Sequence, residues 1–184
     1  MWLMPLAALV GCGVGHALGG RLANFSNLRL RGWSLLALAV VIQSFLGWAP
    51  PTFRWQLVIL CGAAAAGWCL ANRARRGVRL GLLLLGVGVV LNAAAIGSNR
   101  GMPVSRAAMA TAGFAPDLEV SHGHLFRHVA MTDRTRLRQL GDDIPLPLPG
   151  APTVLSVGDV LMTLGIVACA ATGSLARPDL ISTS

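Results

Sequence analysis

Residues 80–96 read LGLLLLGVGVVLNAAAI, with Asn92 as the only polar side chain. A helix rising about 1.5 Å per residue needs roughly 20 apolar residues to cross the hydrocarbon core of a bilayer. The run therefore predicts a membrane span. Working outward, four more apolar runs appear, at about 2–19, 33–48, 55–70 and 154–175. The expected fold is an all-α membrane protein: one domain over 1–184, a bundle of five transmembrane helices. A long polar segment, 97–153, separates the fourth span from the fifth and is expected to be an ordered extracytoplasmic loop.

Composition supports this class. The chain is 54% hydrophobic and 12% charged, and its mean hydropathy is +0.65. An average soluble domain carries about twice that charged fraction. The formal net charge of +8 comes from arginine without any lysine. Such an excess on a soluble protein would suggest nucleic acid. Here no stretch interleaves arginine with aromatic rings as a base-stacking surface does. Eight of the fifteen arginines fall in short connections between apolar runs, where they set topology, while six lie in 97–153, partly offset there by Asp117, Glu119, Asp133, Asp142 and Asp143. Nucleic acid is excluded as a partner. The lipid bilayer and other membrane proteins are the expected ones.

Arginine placement predicts an orientation. Arg21, Arg29 and Arg31 follow the first span; Arg73, Arg75, Arg76 and Arg79 follow the third. Only Arg54 follows the second. An alternating path with both basic connections in the cytoplasm satisfies all three. That puts the amino terminus outside, the carboxyl terminus in the cytoplasm, and 97–153 outside a bacterial plasma membrane. Cys12, Cys61, Cys69 and Cys169 all lie in apolar runs and read as small packing residues. Leu9-Val10-Gly11-Cys12 has the outline of a lipoprotein cleavage box, but no positive residue precedes it.

The long segment carries local signals. Ser105 is placed to cap a short helix over Arg106–Thr111, with Gly113 as its stop. Leu125–Leu140 is expected to form a second helix. Gly141–Pro152 contains four prolines and is expected to be extended.

Three constellations can carry chemistry. His122, His124 and His128 place three imidazoles in seven residues, and on a helix the last two share a face. Zinc is the metal that suits them, with Asp117, Glu119 or Asp133 as an oxygen ligand. The second constellation is a carboxylate pair. Asp159 lies five residues into an apolar run, where an acid is a candidate functional group. Its bland reading is a helix cap that accepts hydrogen bonds from Ser156 or Asn92. Asp142 or Asp143 can be folded back beside it, and two carboxylates sharing a proton form an acid–base dyad. Gly141 and Gly158, each next to an aspartate, allow close backbone approach. The third is an ion pathway built from His16, Asn92 and Asp159.

Two resemblances add to these readings. Gly101-Met102-Pro103-Val104-Ser105, Leu140-Gly141-Asp142-Asp143-Ile144-Pro145 and Ser156-Val157-Gly158-Asp159 resemble a family of small uncharacterised bacterial membrane proteins. That resemblance covers most of the chain from the fourth span onward and implies no activity. Asn99-Arg100-Gly101, Asp133-Arg134 and Ser156-Val157-Gly158-Asp159 are similar to motifs of lipoprotein signal peptidase. There the last motif is Asn-any-Ala-Asp, so Ser156 and Gly158 depart from it. This second resemblance implies Asp142 or Asp143 with Asp159 as a catalytic pair, and Asn99 and Arg134 as substrate-positioning residues.

The leading expectation is a non-enzymatic accessory or scaffold subunit with 97–153 as its interaction surface. The alternatives are an intramembrane aspartyl peptidase-like hydrolase and a small carrier or ion-binding protein.

Overall fold

The computed structural model describes residues 3–114 and 128–176. Its main helices are α1 (Leu3–Ala17), α2 (Trp33–Phe45), α3 (Pro51–Asn72), α4 (Arg79–Asn99), the short α5 (Arg106–Ala112) and α6 (Val157–Ser174). Four three-residue strands accompany them: β1 (Met102–Val104), β2 (His128–Ala130), β3 (Ile144–Leu146) and β4 (Thr153–Leu155).

Among the described residues, three helices are long and apolar enough to cross a membrane: Thr52–Asn72, Arg79–Asn99 and Val157–Ser174. The other two expected spans are shorter. α1 stops at Ala17, and a 3-10 segment, Leu22–Leu28, leaves it at 101°. α2 has 13 residues, about 20 Å at 1.5 Å each. Leu9, Val41, Leu60, Val87 and Leu164 are among many large apolar residues exposed on the bundle. A surface of this kind suits lipid rather than water.

α6 is the central helix, flanked by α1 and α4; α3 packs on α4, and α2 on α3. Glycines explain the contacts of α6. A Cβ at Gly165 would lie 2.6 Å from the Leu85 amide nitrogen, and one at Gly88 would lie 2.5 Å from the Gly158 carbonyl oxygen. α4 and α6 therefore run antiparallel with backbones in contact. On the other side, Gly11 meets Val167 and Ala170, and Gly15 meets Ala171 and Ser174. α1 and α6 are thus parallel. Small residues drive such packing where lipid removes the hydrophobic incentive between helices.

One end of the bundle is closed by asparagine. Asn24 Nδ2 donates to the Ser174 carbonyl (2.6 Å) and Asn27 Nδ2 to that of Ala176 (3.2 Å), tying the 3-10 segment to the end of α6. Fully buried Asn72 exchanges hydrogen bonds with the backbone of Arg31, accepting at 2.8 Å and donating at 2.9 Å. Around these sits a cluster of Leu28, Cys69, Val78, Leu82 and Ala176.

The other end carries a polar cap built from 100–114 and 128–156. β1 pairs in parallel with β2, and β3 pairs antiparallel with β4. Asp142 bridges to Val104 on the free side of β1. α5 forms as expected: the Ser105 side chain accepts from the Ala108 N–H, and Gly113 closes the helix at φ 94°. The helix expected over 125–140 does not form in its described part. His128–Ala130 is a strand, Met131 N–H donates to the Val104 carbonyl (2.9 Å), and only Arg138–Leu140 makes a 3-10 turn. Thr132 and Thr135 explain the failure. The Thr135 hydroxyl takes the Thr132 N–H at 2.8 Å, a local bond that competes with helix. Of the proline-rich segment, Ile144–Leu146 is extended as β3 and pairs with β4 just beyond it, while residues 149–150 form a turn.

Candidate functional site

The β3–β4 hairpin delivers the chain to Ser156, and Ser156 starts α6 with a capping box. Its hydroxyl accepts from the Asp159 N–H (2.9 Å) while Asp159 Oδ2 accepts from the Ser156 N–H (3.1 Å). Asn92 of α4 closes a ring. Its Nδ2 donates to Asp159 Oδ1 (2.9 Å), and its Oδ1 accepts from the Ser156 hydroxyl (2.9 Å). Both Asp159 oxygens are engaged at the positive end of a helix, where carboxylates are favoured. The ring forms because Gly158 lets Asn92 lie against the α6 backbone.

Asp142 is brought to the same place by β1. Its N–H donates to the Pro103 carbonyl (2.7 Å) and its carbonyl accepts from the Ser105 N–H (2.9 Å). Gly141 makes this possible, since a Cβ there would lie 2.6 Å from the Pro103 oxygen. The Asp142 side chain is buried, and its Oδ2 lies 3.1 Å from His128 Nε2 on β2. Burial pushes the Asp142 carboxyl above the ordinary range; His128 opposes that shift and the nearby charge of Asp159 adds to it. Asp142 Oδ1 and His128 Nδ1 are buried and have no hydrogen-bond partner among the described residues.

These groups face a cavity of about 600 Å³ between the bundle and the cap. Its polar lining includes Asn92, His128, Asp142 and Asp159, with Gln43, Arg54 and Arg100. Its apolar lining comes from Met4, Trp55, Val58, Ile96 and Met162. Arg54 also donates from Nε to the Ala49 carbonyl (2.8 Å), which anchors it at the α2–α3 turn.

Of the two candidates for a partner to Asp159, Asp142 lies in the cavity lining. Asp143 follows it on the chain, so its side chain takes the opposite face and is exposed; its N–H donates to the Leu155 carbonyl (3.2 Å). Asn99 does not face the cavity. It holds the 132–137 turn, donating to the Arg136 carbonyl (2.8 Å) and accepting from the Arg136 N–H (2.9 Å). Arg134 is exposed on that turn. The pair expected to position substrate is therefore structural in one member and outward-facing in the other. His122 and His124 lie outside the described residues, and His128 is on a strand rather than a helix face. No group of three His, Cys, Asp or Glu converges among the described residues. His16 sits in the last turn of α1, beside Ser174. Along α6 that is fifteen residues from Asp159, or about 22 Å, so the two do not share a site.

Gln43, Arg54 and Arg100 were not singled out by the sequence. Arg54 had a signal: it is the lone charge in the connection between the second and third spans. A family model described as a family of unknown function, DUF5317, matches residues 27–170. The chain belongs to this family. The match spans α2 through most of α6 and so includes the capping ring, Asp142 and His128. No curated protein and no solved structure matches the chain significantly.

Proposed function

We propose that this chain is an integral membrane protein that binds a small amphiphilic molecule in the cavity beneath its polar cap. The ligand's headgroup meets Asp142 and His128, and its apolar part lies against Met4, Trp55, Val58, Ile96 and Met162. One observation carries the reading: Asp142 and His128 line the cavity, and each carries a buried polar atom, Oδ1 and Nδ1, without a partner among the described residues. An unsatisfied buried polar group costs about 1–3 kcal/mol. A headgroup that donates hydrogen bonds, such as a hydroxyl or an amine, recovers that cost. The scaffold role has less support, because the cap turns Asp142, Ser105 and Ser156 inward rather than displaying them.

Trp55 gives the test. Long-chain alcohols, amines and fatty acids are titrated against protein in nanodiscs, with the other four tryptophans replaced by phenylalanine. A saturable shift in Trp55 emission on adding an alcohol or amine, weakened in Asp142→Asn and in His128→Ala, supports the site. Equal response of wild type and both variants overturns it.

A second reading, the aspartyl hydrolase, draws on Asp142 and Asp159 lining one cavity with Asp142 biased toward its protonated form. It requires that Asp142→Asn and Asp159→Asn each abolish processing of a lipoprotein reporter in cells. Normal processing in either variant removes it.

A further inference from the structure

Away from the cap, a second cavity of about 230 Å³ runs along the outer surface between α3 and α4. Ala66, Cys69 and Gly86 form its floor. Leu70, Leu83, Val87 and Val90 form walls and are 40–56% exposed. The groove exists because of Gly86: a Cβ there would already lie 3.3 Å from the Cys69 Cβ, and any longer side chain would fill the channel. From Leu91 to Leu82 it covers ten residues of α4, a rise of about 14 Å. That is close to one leaflet, half of a hydrocarbon core about 30 Å thick.

The groove opens at a basic end. Arg73 lines it and is exposed; one guanidinium nitrogen donates to the Leu70 carbonyl (3.0 Å), which holds the side chain at the mouth. Arg75 and Arg76 follow in the turn, and Arg79 begins α4. No acidic residue lies in 17–90. An apolar channel one leaflet deep ending in clustered guanidinium groups matches a chain with an anionic head.

We propose that this groove is a binding site for one acyl chain of an anionic glycerophospholipid, whose phosphate pairs with Arg73. Guanidinium and phosphate make charge-assisted, two-pronged hydrogen bonds. A basic residue at a membrane surface favours anionic lipid by about 1 kcal/mol, or roughly fivefold. Purified protein is exchanged into detergent with equal phosphatidylglycerol and phosphatidylcholine, and bound lipid is counted by native mass spectrometry. One retained phosphatidylglycerol is expected, favoured about fivefold over phosphatidylcholine. Arg73→Gln is expected to remove the preference, and Gly86→Leu to remove retention. Equal retention of both lipids by wild type overturns the proposal, as does unchanged preference in Arg73→Gln. A dimer in the wild-type spectrum that Gly86→Leu abolishes would assign the groove to a second copy of the chain instead.

Discussion

Asp159 shows how one acid is kept in an apolar helix start. Its two oxygens accept from two donors, Asn92 Nδ2 on α4 and the Ser156 N–H at the start of its own helix. Ser156→Ala removes the hydroxyl that serves both the Asp159 N–H and Asn92 Oδ1. It is expected to cost about 1 kcal/mol, typical of a lost N-cap, read as a lowered midpoint in thermal unfolding in detergent. Asn92→Leu leaves a half-buried carboxylate short of a donor and is expected to cost more than Ser156→Ala. Equal or smaller loss would mean that Asn92 does not support the charge. Asp142 behaves differently because its burial is not compensated in the same way. Its raised pKa means that the native state binds more protons than the unfolded chain above the ordinary value of 3.8. Stability from this group therefore falls as pH rises through that window and returns on acidification. Infrared difference spectra should show a protonated carboxyl band above the pH at which free aspartate ionises, absent in Asp142→Asn. The groups facing it, His128 and Asp159, make Asp159→Asn a second control, which should move the band's midpoint down.

At the scale of elements, glycine decides which helices touch. A Cβ at Gly165 would meet the backbone of Leu85 and Gly81, whereas Gly13 on α1 has nothing within 4 Å. Gly165→Ala is expected to separate α4 from α6 and lower the unfolding midpoint clearly. Gly13→Ala should be neutral or stabilising by about 0.5–1 kcal/mol through helix propensity. A comparable loss at both positions would refute the packing. These elements also show what the sequence made legible. Residues 80–96 and 154–175 announced α4 and α6 because lipid demands continuous apolar runs. Ser105 and Gly113 announced caps because their chemistry is local; at α6 the sequence pointed to Asp159 as the cap, whereas Ser156 is the N-cap and Asp159 completes the capping box. The 128–140 region was misread because its strand depends on β1, over twenty residues earlier, and no local period encodes that pairing. The choice of Asp142 over Asp143 depended on the same pairing, through the Val104 bridge. Asn72 and Asn99 were missed or misassigned as they act on backbone far along the chain.

The whole molecule is polarised by charge. α2, α3, α4 and α6 pack in alternating directions, and α1 runs parallel to α6. This places Arg21, Arg29, Arg31, Arg73, Arg75, Arg76 and Arg79 at one end, with no described acid among them. The cap end holds Arg54, Arg100, Arg106, Arg134, Arg136 and Arg138 against Asp133, Asp142, Asp143 and Asp159. Positive connections stay in the cytoplasm, so the arginine end should lie inside and the cavity under the cap should open outside. α2 is the element at risk in this scheme, since about 20 Å of helix must cross a core near 30 Å. Local thinning of the bilayer accommodates a short span at modest cost, and Trp33 and Trp48 at its ends, 59% and 88% exposed, suit the two interfaces. Single cysteines at Arg76, Thr52 and Asp143 in a cysteine-free background test the path with a membrane-impermeant maleimide. Thr52→Cys and Asp143→Cys should label in intact cells, and Arg76→Cys only after permeabilisation. Labelling of Arg76→Cys alone would invert the protein and turn the cavity toward the cytoplasm. Labelling of Arg76→Cys together with Thr52→Cys would mean that α3 does not span the bilayer.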